Sequence, residues 1–153
     1  MLSDEELINM CQCQNIELNY CGYKDTMPNI TNQTNYNCII NIDGVDKNDN
    51  NVSGSHWVCV IIKDNNAFYF DSFGLPEPIE TMKFIKNQNI KHYGYNKKQI
   101  QNINDDHCGY YCFALLSYVK HYFENDLYNT VNNFINLFNK NTKKNKNILL
   151  KML

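Results

Sequence analysis

A nearly continuous apolar run spans residues 56–63, and a second spans 67–71. Asp64-Asn65-Asn66 stands between them as a turn signal, so the two runs predict a central β-hairpin buried on both faces. Residues 36–43 alternate and are rich in isoleucine, which predicts a further strand. Residues 90–95 and 99–102 predict two more short strands. Helical periodicity accounts for most of the remainder. Ser3 with Glu6 forms a capping-box pattern, so a helix is expected over 4–14 with Leu7, Ile8 and Cys11 facing inward. A second helix is expected over 80–87, with Ile79, Met82 and Ile85 inward. The stretch 109–123 is helical and so apolar that it must be buried. Over 127–139, Leu127, Val131, Phe134, Ile135 and Phe138 recur at helical spacing. Polar, turn-rich segments fill the chain up to about residue 35 and again over 44–55, and residues 74–78 break the pattern.

These elements predict an α+β fold: a small mixed or antiparallel sheet packed on a buried helix, in a single domain spanning 1–153. A net charge of −2 supplies no strong field for nucleic acid or anionic membrane. No run of about 18 apolar residues occurs, so no transmembrane helix is expected. The acidic start without an apolar core speaks against secretion. The seven cysteines are then expected to be reduced, and their odd number leaves at least one thiol free in any pairing.

Three segments carry residue types suited to nucleophilic catalysis. Gly54-Ser55-His56-Trp57 opens the first strand of the hairpin, and Tyr69-Phe70-Asp71-Ser72-Phe73-Gly74 closes the second. Gln101 precedes Cys108-Gly109-Tyr110-Tyr111-Cys112 by seven positions. A free thiol titrates near 8.5, and a helix N-terminus with a neighbouring histidine favours the nucleophilic thiolate. Cys108 stands just before the buried helical run. Counted from the turn, His56 and Asp71 lie at the same end of the hairpin, where a carboxylate can fix the imidazole tautomer. Gln101 offers an uncharged donor for an oxyanion hole shared with the Cys108 backbone N–H. Gly109 leaves room for a substrate carbonyl to approach the backbone. The reading is a cysteine hydrolase with Cys108 as nucleophile, His56 as base, Asp71 as its orienting partner and Gln101 as oxyanion donor.

These residues, in this order and spacing, resemble the adenovirus-type (adenain-like) cysteine proteases, in the clan of the SUMO and ubiquitin-like-specific proteases. The likeness rests on His56-Trp57, the aromatic lead into Asp71-Ser72-Phe73-Gly74, and Gln101 before Cys108-Gly109. Tyr110-Tyr111-Cys112 is similar to versions in virophages and Maverick-type elements. The resemblance covers most of the chain, from about residue 3 to about residue 123. It departs in that adenain has glutamate where Asp71 stands. It implies a papain-like fold and an endopeptidase that cleaves viral precursor proteins near glycine or other small residues. It also implies a monomer at work in the host-cell cytoplasm or nucleus and in the virion. The chemistry would need no cofactor, although family members are activated by a short peptide or by DNA. The mildly acidic balance of this chain speaks against DNA activation. Other branches of the clan imply release of ubiquitin-like modifiers or acetyl transfer. A catalytically inactive scaffold or nucleic-acid-binding module is the rival from a different class.

Several neighbouring residues have plainer readings. Trp57 is assigned to packing beside the imidazole. His107 is an alternative base only if it points as Cys108 does, and adjacent residues at a helix start diverge. Gln99 rivals Gln101 less well on spacing. Cys11, Cys13 and Cys21 lack the partners of a zinc site, and Cys112 reads as core. The lysines at 140, 143, 144, 146 and 151 read as a solvated face, with nucleic-acid contact as the alternative.

Overall fold

The computed structural model describes residues 1–43 and 56–153. The predicted loop 44–55 lies outside the described residues. One five-stranded sheet runs in the order β1-β2-β3-β4-β5. Its strands are β1 (Tyr20–Tyr23), β2 (Asn35–Asn41), β3 (Trp57–Lys63), β4 (Asn66–Phe70) and β5 (His92–Tyr95). The inner three strands pair antiparallel, and the two edge strands pair parallel to their neighbours. The sheet is therefore mixed, and with its helices the fold is α+β, as the pattern predicts.

The hairpin turns on Asp64 and Asn65, both with positive φ, the conformation that a two-residue turn between twisted strands requires. Alternate residues of β3 feed opposite faces of the sheet. Trp57, Cys59 and Ile61 join the core beneath α3 (Cys108–Tyr122), and Val58, Val60 and Ile62 join a second core on the other face. The first core also takes in α1 (Asp4–Cys13), α4 (Leu127–Ile135) and α5 (Asn145–Met152). The second is covered by α2 (Ile79–Lys86) through Phe84 and Ile85. Burial on both faces is why β3 reads as a continuous apolar run rather than an alternation.

α1 begins with both hydrogen bonds of the predicted capping box. Leu7 and Cys11 are buried, while Ile8 is half-buried. In α2 the inward face is Thr81, Phe84 and Ile85; Ile79 is exposed, so the predicted inward set is corrected by about a third of a turn. All five apolar residues assigned to the fourth helical pattern are buried, although α4 ends at Ile135 and Phe138 lies beyond it.

Three expectations change. β1 was not visible in the pattern: it is a four-residue edge strand, largely half-exposed, and it is recruited by parallel pairing with β2. Residues 99–102 form no strand, because Ile100 and Gln101 both donate their N–H to the single carbonyl of Ser72. The lysine-rich tail is a docked helix: α5 buries Leu149, and its Asn145 side chain donates to the carbonyls of Ile100 and Asn139. The lysines themselves face outward. No helix of the described residues is long and apolar enough to cross a membrane.

The docking of α5 gives a test. Leu149→Ala should lower stability by about 2–5 kcal/mol in chemical denaturation, as expected for a large-to-small change in a packed core. A loss below about 1 kcal/mol would mean that the helix does not dock.

Candidate active site

Cys108 is the first residue of α3 and is 2% exposed. The sulfur accepts a hydrogen bond from the Trp57 backbone N–H at 3.4 Å. One turn later, the Cys112 thiol donates to the Trp57 carbonyl at 3.5 Å. The helix start is thus bonded at two points to the first residue of β3. The residue just before that strand is His56.

His56 Nε2 lies 2.7 Å from Asp71 Oδ1. A carboxylate only accepts, so Nε2 carries the hydrogen. Cys108 also acts on the ring, and Nδ1 is the nitrogen left to face it. Burial works against the imidazolium, but its hydrogen bond to Asp71 and the charges of Asp71 and Cys108 beside it outweigh that cost. The balance pushes the imidazole from its ordinary 6.5 up to about 9. Phe73 stacks on the ring, with centroids 4.7 Å apart and planes at 30°.

Asp71 follows β4 directly and is buried. Its Oδ1 also accepts the Phe73 backbone N–H at 2.8 Å. Asn96, buried in the segment after β5, grips the Asp71 backbone from both sides. Its Oδ1 accepts the Asp71 N–H at 3.0 Å, and its Nδ2 donates to the Asp71 carbonyl at 2.5 Å. The hairpin ladder stops at Cys59–Phe70, so Asp71 is held by this asparagine and not by a strand partner.

Gln101 is buried, and its carboxamide is held at both ends. Ser72 Oγ donates to Oε1 at 2.5 Å, and Nε2 donates to the Asp105 carbonyl at 2.5 Å. Gln101 therefore sits on the loop that leads into Cys108. Gln99 is exposed, and its amide donates to the Gln101 carbonyl instead.

The structure thus brings His56, Asp71 and Cys108 together and anchors Gln101 on the loop before the nucleophile. Two sequence expectations are corrected in detail. The ring packed on the imidazole is Phe73; Trp57 sends its indole N–H to the Leu2 carbonyl at 2.9 Å. A Cβ at Gly109 would come within 3.3 Å of the Trp57 ring and 3.4 Å of Leu2, so the glycine serves the packing of α3 under Trp57. His107 pairs through Nδ1 with the Asp105 and Asp106 carboxylates. Asn96 was missed altogether: an asparagine between a short edge strand and two lysines breaks no pattern. All seven cysteines are free thiols. Among the described residues, the one cluster with ligand atoms close enough to hold a metal ion is Asp105, Asp106 and His107, on the loop that leads into Cys108.

No protein-family model matches the chain, and no curated protein matches it. Solved structures do, each in part. ASFV pS273R protease aligns with 64% of this chain and 36% of its own, at 17% identity and a TM-score of 0.46. A selenomethionine structure of that protease aligns with 66% and 42%, at 18% identity and 0.41. ChlaDub1 from Chlamydia trachomatis aligns with 76% of this chain and 57% of its own, at 17% identity and 0.49. The chain spans less than two thirds of the length of each. The geometry of the site stands apart from these partial likenesses.

The His56 environment sets a pH prediction. A folded-state value above the ordinary one means that the pairing stabilises the fold fully below about pH 6.5 and is lost as pH rises through about 9. Asp71→Asn removes the carboxylate and leaves burial less opposed. The His56 ring should then titrate well below 9 by NMR, and stability should flatten between pH 6.5 and 9. An unchanged titration would show that Asp71 does not hold the imidazolium.

Proposed function

We propose that the protein is a cysteine endopeptidase with Cys108 as nucleophile, His56 as general base and acid, Asp71 as its orienting carboxylate and Gln101 as oxyanion donor. The observation that carries this reading is the imidazole of His56, hydrogen-bonded to Asp71 at 2.7 Å and lying beside Cys108 at the start of α3. With the acceptor-only carboxylate on Nε2, the other ring nitrogen is left to take the proton of the thiol.

The steps follow from that arrangement. The Cys108 thiol gives its proton to His56 Nδ1, and the sulfur attacks the scissile carbonyl carbon. Negative charge collects on the carbonyl oxygen, where the Cys108 backbone N–H and the remaining Gln101 Nε2 hydrogen stabilise it. The C–N bond breaks as the imidazolium protonates the leaving amine, which departs and leaves a thioester on Cys108. A water then gives a proton to His56 and attacks the thioester. The acyl group leaves as a carboxylic acid, and the thiol is regenerated. Every catalytic group in this proposed cycle belongs to the chain, so the chemistry calls on no cofactor.

The nucleophile is almost fully buried, beneath a helix start packed on Trp57. A substrate backbone must come close to reach it, which suits glycine or another small residue at the scissile bond. With the resemblance described above, the proposed substrates are precursor proteins processed during virion assembly.

Cys108→Ala should abolish cleavage of Gly-containing polypeptides while the melting temperature stays close to that of the parent. Gln101→Ala should lower kcat by about 10²–10³-fold, the cost of one oxyanion donor. Residual cleavage by Cys108→Ala at the parental rate would refute the assignment. The readout is sequencing of new termini in candidate precursor proteins.

A further inference from the structure

Resting on the assignment of Gln101 as oxyanion donor, a further role falls to Ser72. An amide has two unlike ends, and only its NH₂ end can stabilise an oxyanion; its oxygen would repel one. The reaction therefore depends on which way the Gln101 side chain is turned. Two groups decide that. The Asp105 carbonyl can only accept, so Nε2 must face it, and the contact is 2.5 Å. At the other end, the Ser72 hydroxyl meets Oε1 at 2.5 Å, and it must be the donor.

Ser72 is completely buried, with its hydroxyl committed to the Gln101 amide. Its carbonyl accepts the N–H groups of Ile100 and Gln101 at 2.9 and 3.0 Å, which binds its backbone to the same loop. Ser72 also follows Asp71 directly and precedes Phe73, which stacks on His56. The loop thus contacts the base with one pair of residues and the amide with the residue between them.

We propose that Ser72 is a positioning residue for the oxyanion hole: its hydroxyl locks the Gln101 amide with one Nε2 hydrogen at the Asp105 carbonyl and the other free for the reacting carbonyl oxygen. Without that hydroxyl, Oε1 is left buried and unpaired, a state the side chain relieves by turning away. The consequence appears only where negative charge builds on the carbonyl oxygen, so kcat changes and substrate binding does not.

The test separates this from general damage. Alkylation of Cys108 by iodoacetamide displaces iodide at a saturated carbon and forms no oxyanion, so it needs the Cys108–His56 pair but not Gln101. Ser72→Ala should lower kcat for a Gly-containing peptide about tenfold, with KM and the alkylation rate within about twofold of the parent. This loss is smaller than the 10²–10³-fold expected for removing the donor outright. Ser72→Thr, which keeps the hydroxyl, should restore most of kcat. In a Gln101→Ala background, Ser72→Ala should cost nothing further, because the amide it orients is gone. Should Ser72→Ala not fold, Ser72→Cys, close in shape but a poor donor, carries the same comparison. Equal losses in both backgrounds, or alkylation falling in step with kcat, would overturn the proposal. A parent enzyme whose Cys108 is not alkylated at all would instead sink the peptidase assignment, a separate result.

Discussion

The site depends on the junction between the start of α3 and the start of β3. Trp57 donates its backbone N–H to the Cys108 sulfur and accepts from Cys112 one helical turn on. A strand residue presents its N–H and C=O toward the same side, and cysteines four apart share a helix face. Two hydrogen bonds of this kind set both the distance and the rotation of the helix end relative to the strand. The nucleophile stands on one element and His56 borders the other, so the same contact sets how the thiol meets the imidazole. The buried Trp57 ring above Gly109 completes the junction, because a larger residue at 109 would press the helix away from the strand.

A second constraint is built around the loop after β4. Asp71 leaves the sheet where the hairpin ladder ends, and Asn96 holds its backbone in place of a strand partner. Asp71 and Phe73 then fix the imidazole by a hydrogen bond and a stacked ring, while Ser72 reaches the Gln101 amide. Gln101 is in turn held from the far side, through Ile100, by the Asn145 side chain of α5. Buried polar groups satisfied in this way are costly to disturb one at a time, which is how a small sheet can hold a reactive geometry rigidly.

Much of this was legible in the sequence because it rests on strong local signals. The Asp64–Asn65 turn, the doubly buried strand at 57–63 and the apolar helix after Cys108 all follow from composition and period. His56, Asp71 and Cys108 stand out because they sit at the ends of strands and of that helix, and Gln101 because it falls seven positions before Cys108. What was illegible is mostly tertiary. β1 exists because β2 offers it a parallel edge, and residues 99–102 are not a strand because one carbonyl, that of Ser72, takes both N–H groups. Asn96 acts through its side chain on a backbone twenty-five residues away, a relation without periodicity. The tail reads as charged, yet a few buried side chains, Leu149 and Asn145 among them, suffice to dock it.

The central claim is that a carbonyl carbon becomes bonded to one particular sulfur. Acid quenching during turnover of a peptide ester ending in glycine, followed by mass spectrometry of the digested chain, looks for that bond directly. The account predicts a thioester on the peptide that contains Cys108, lost on treatment with hydroxylamine and missing in His56→Ala. An acyl group on any other residue, or steady turnover with no acylated chain at any quench time, would contradict it.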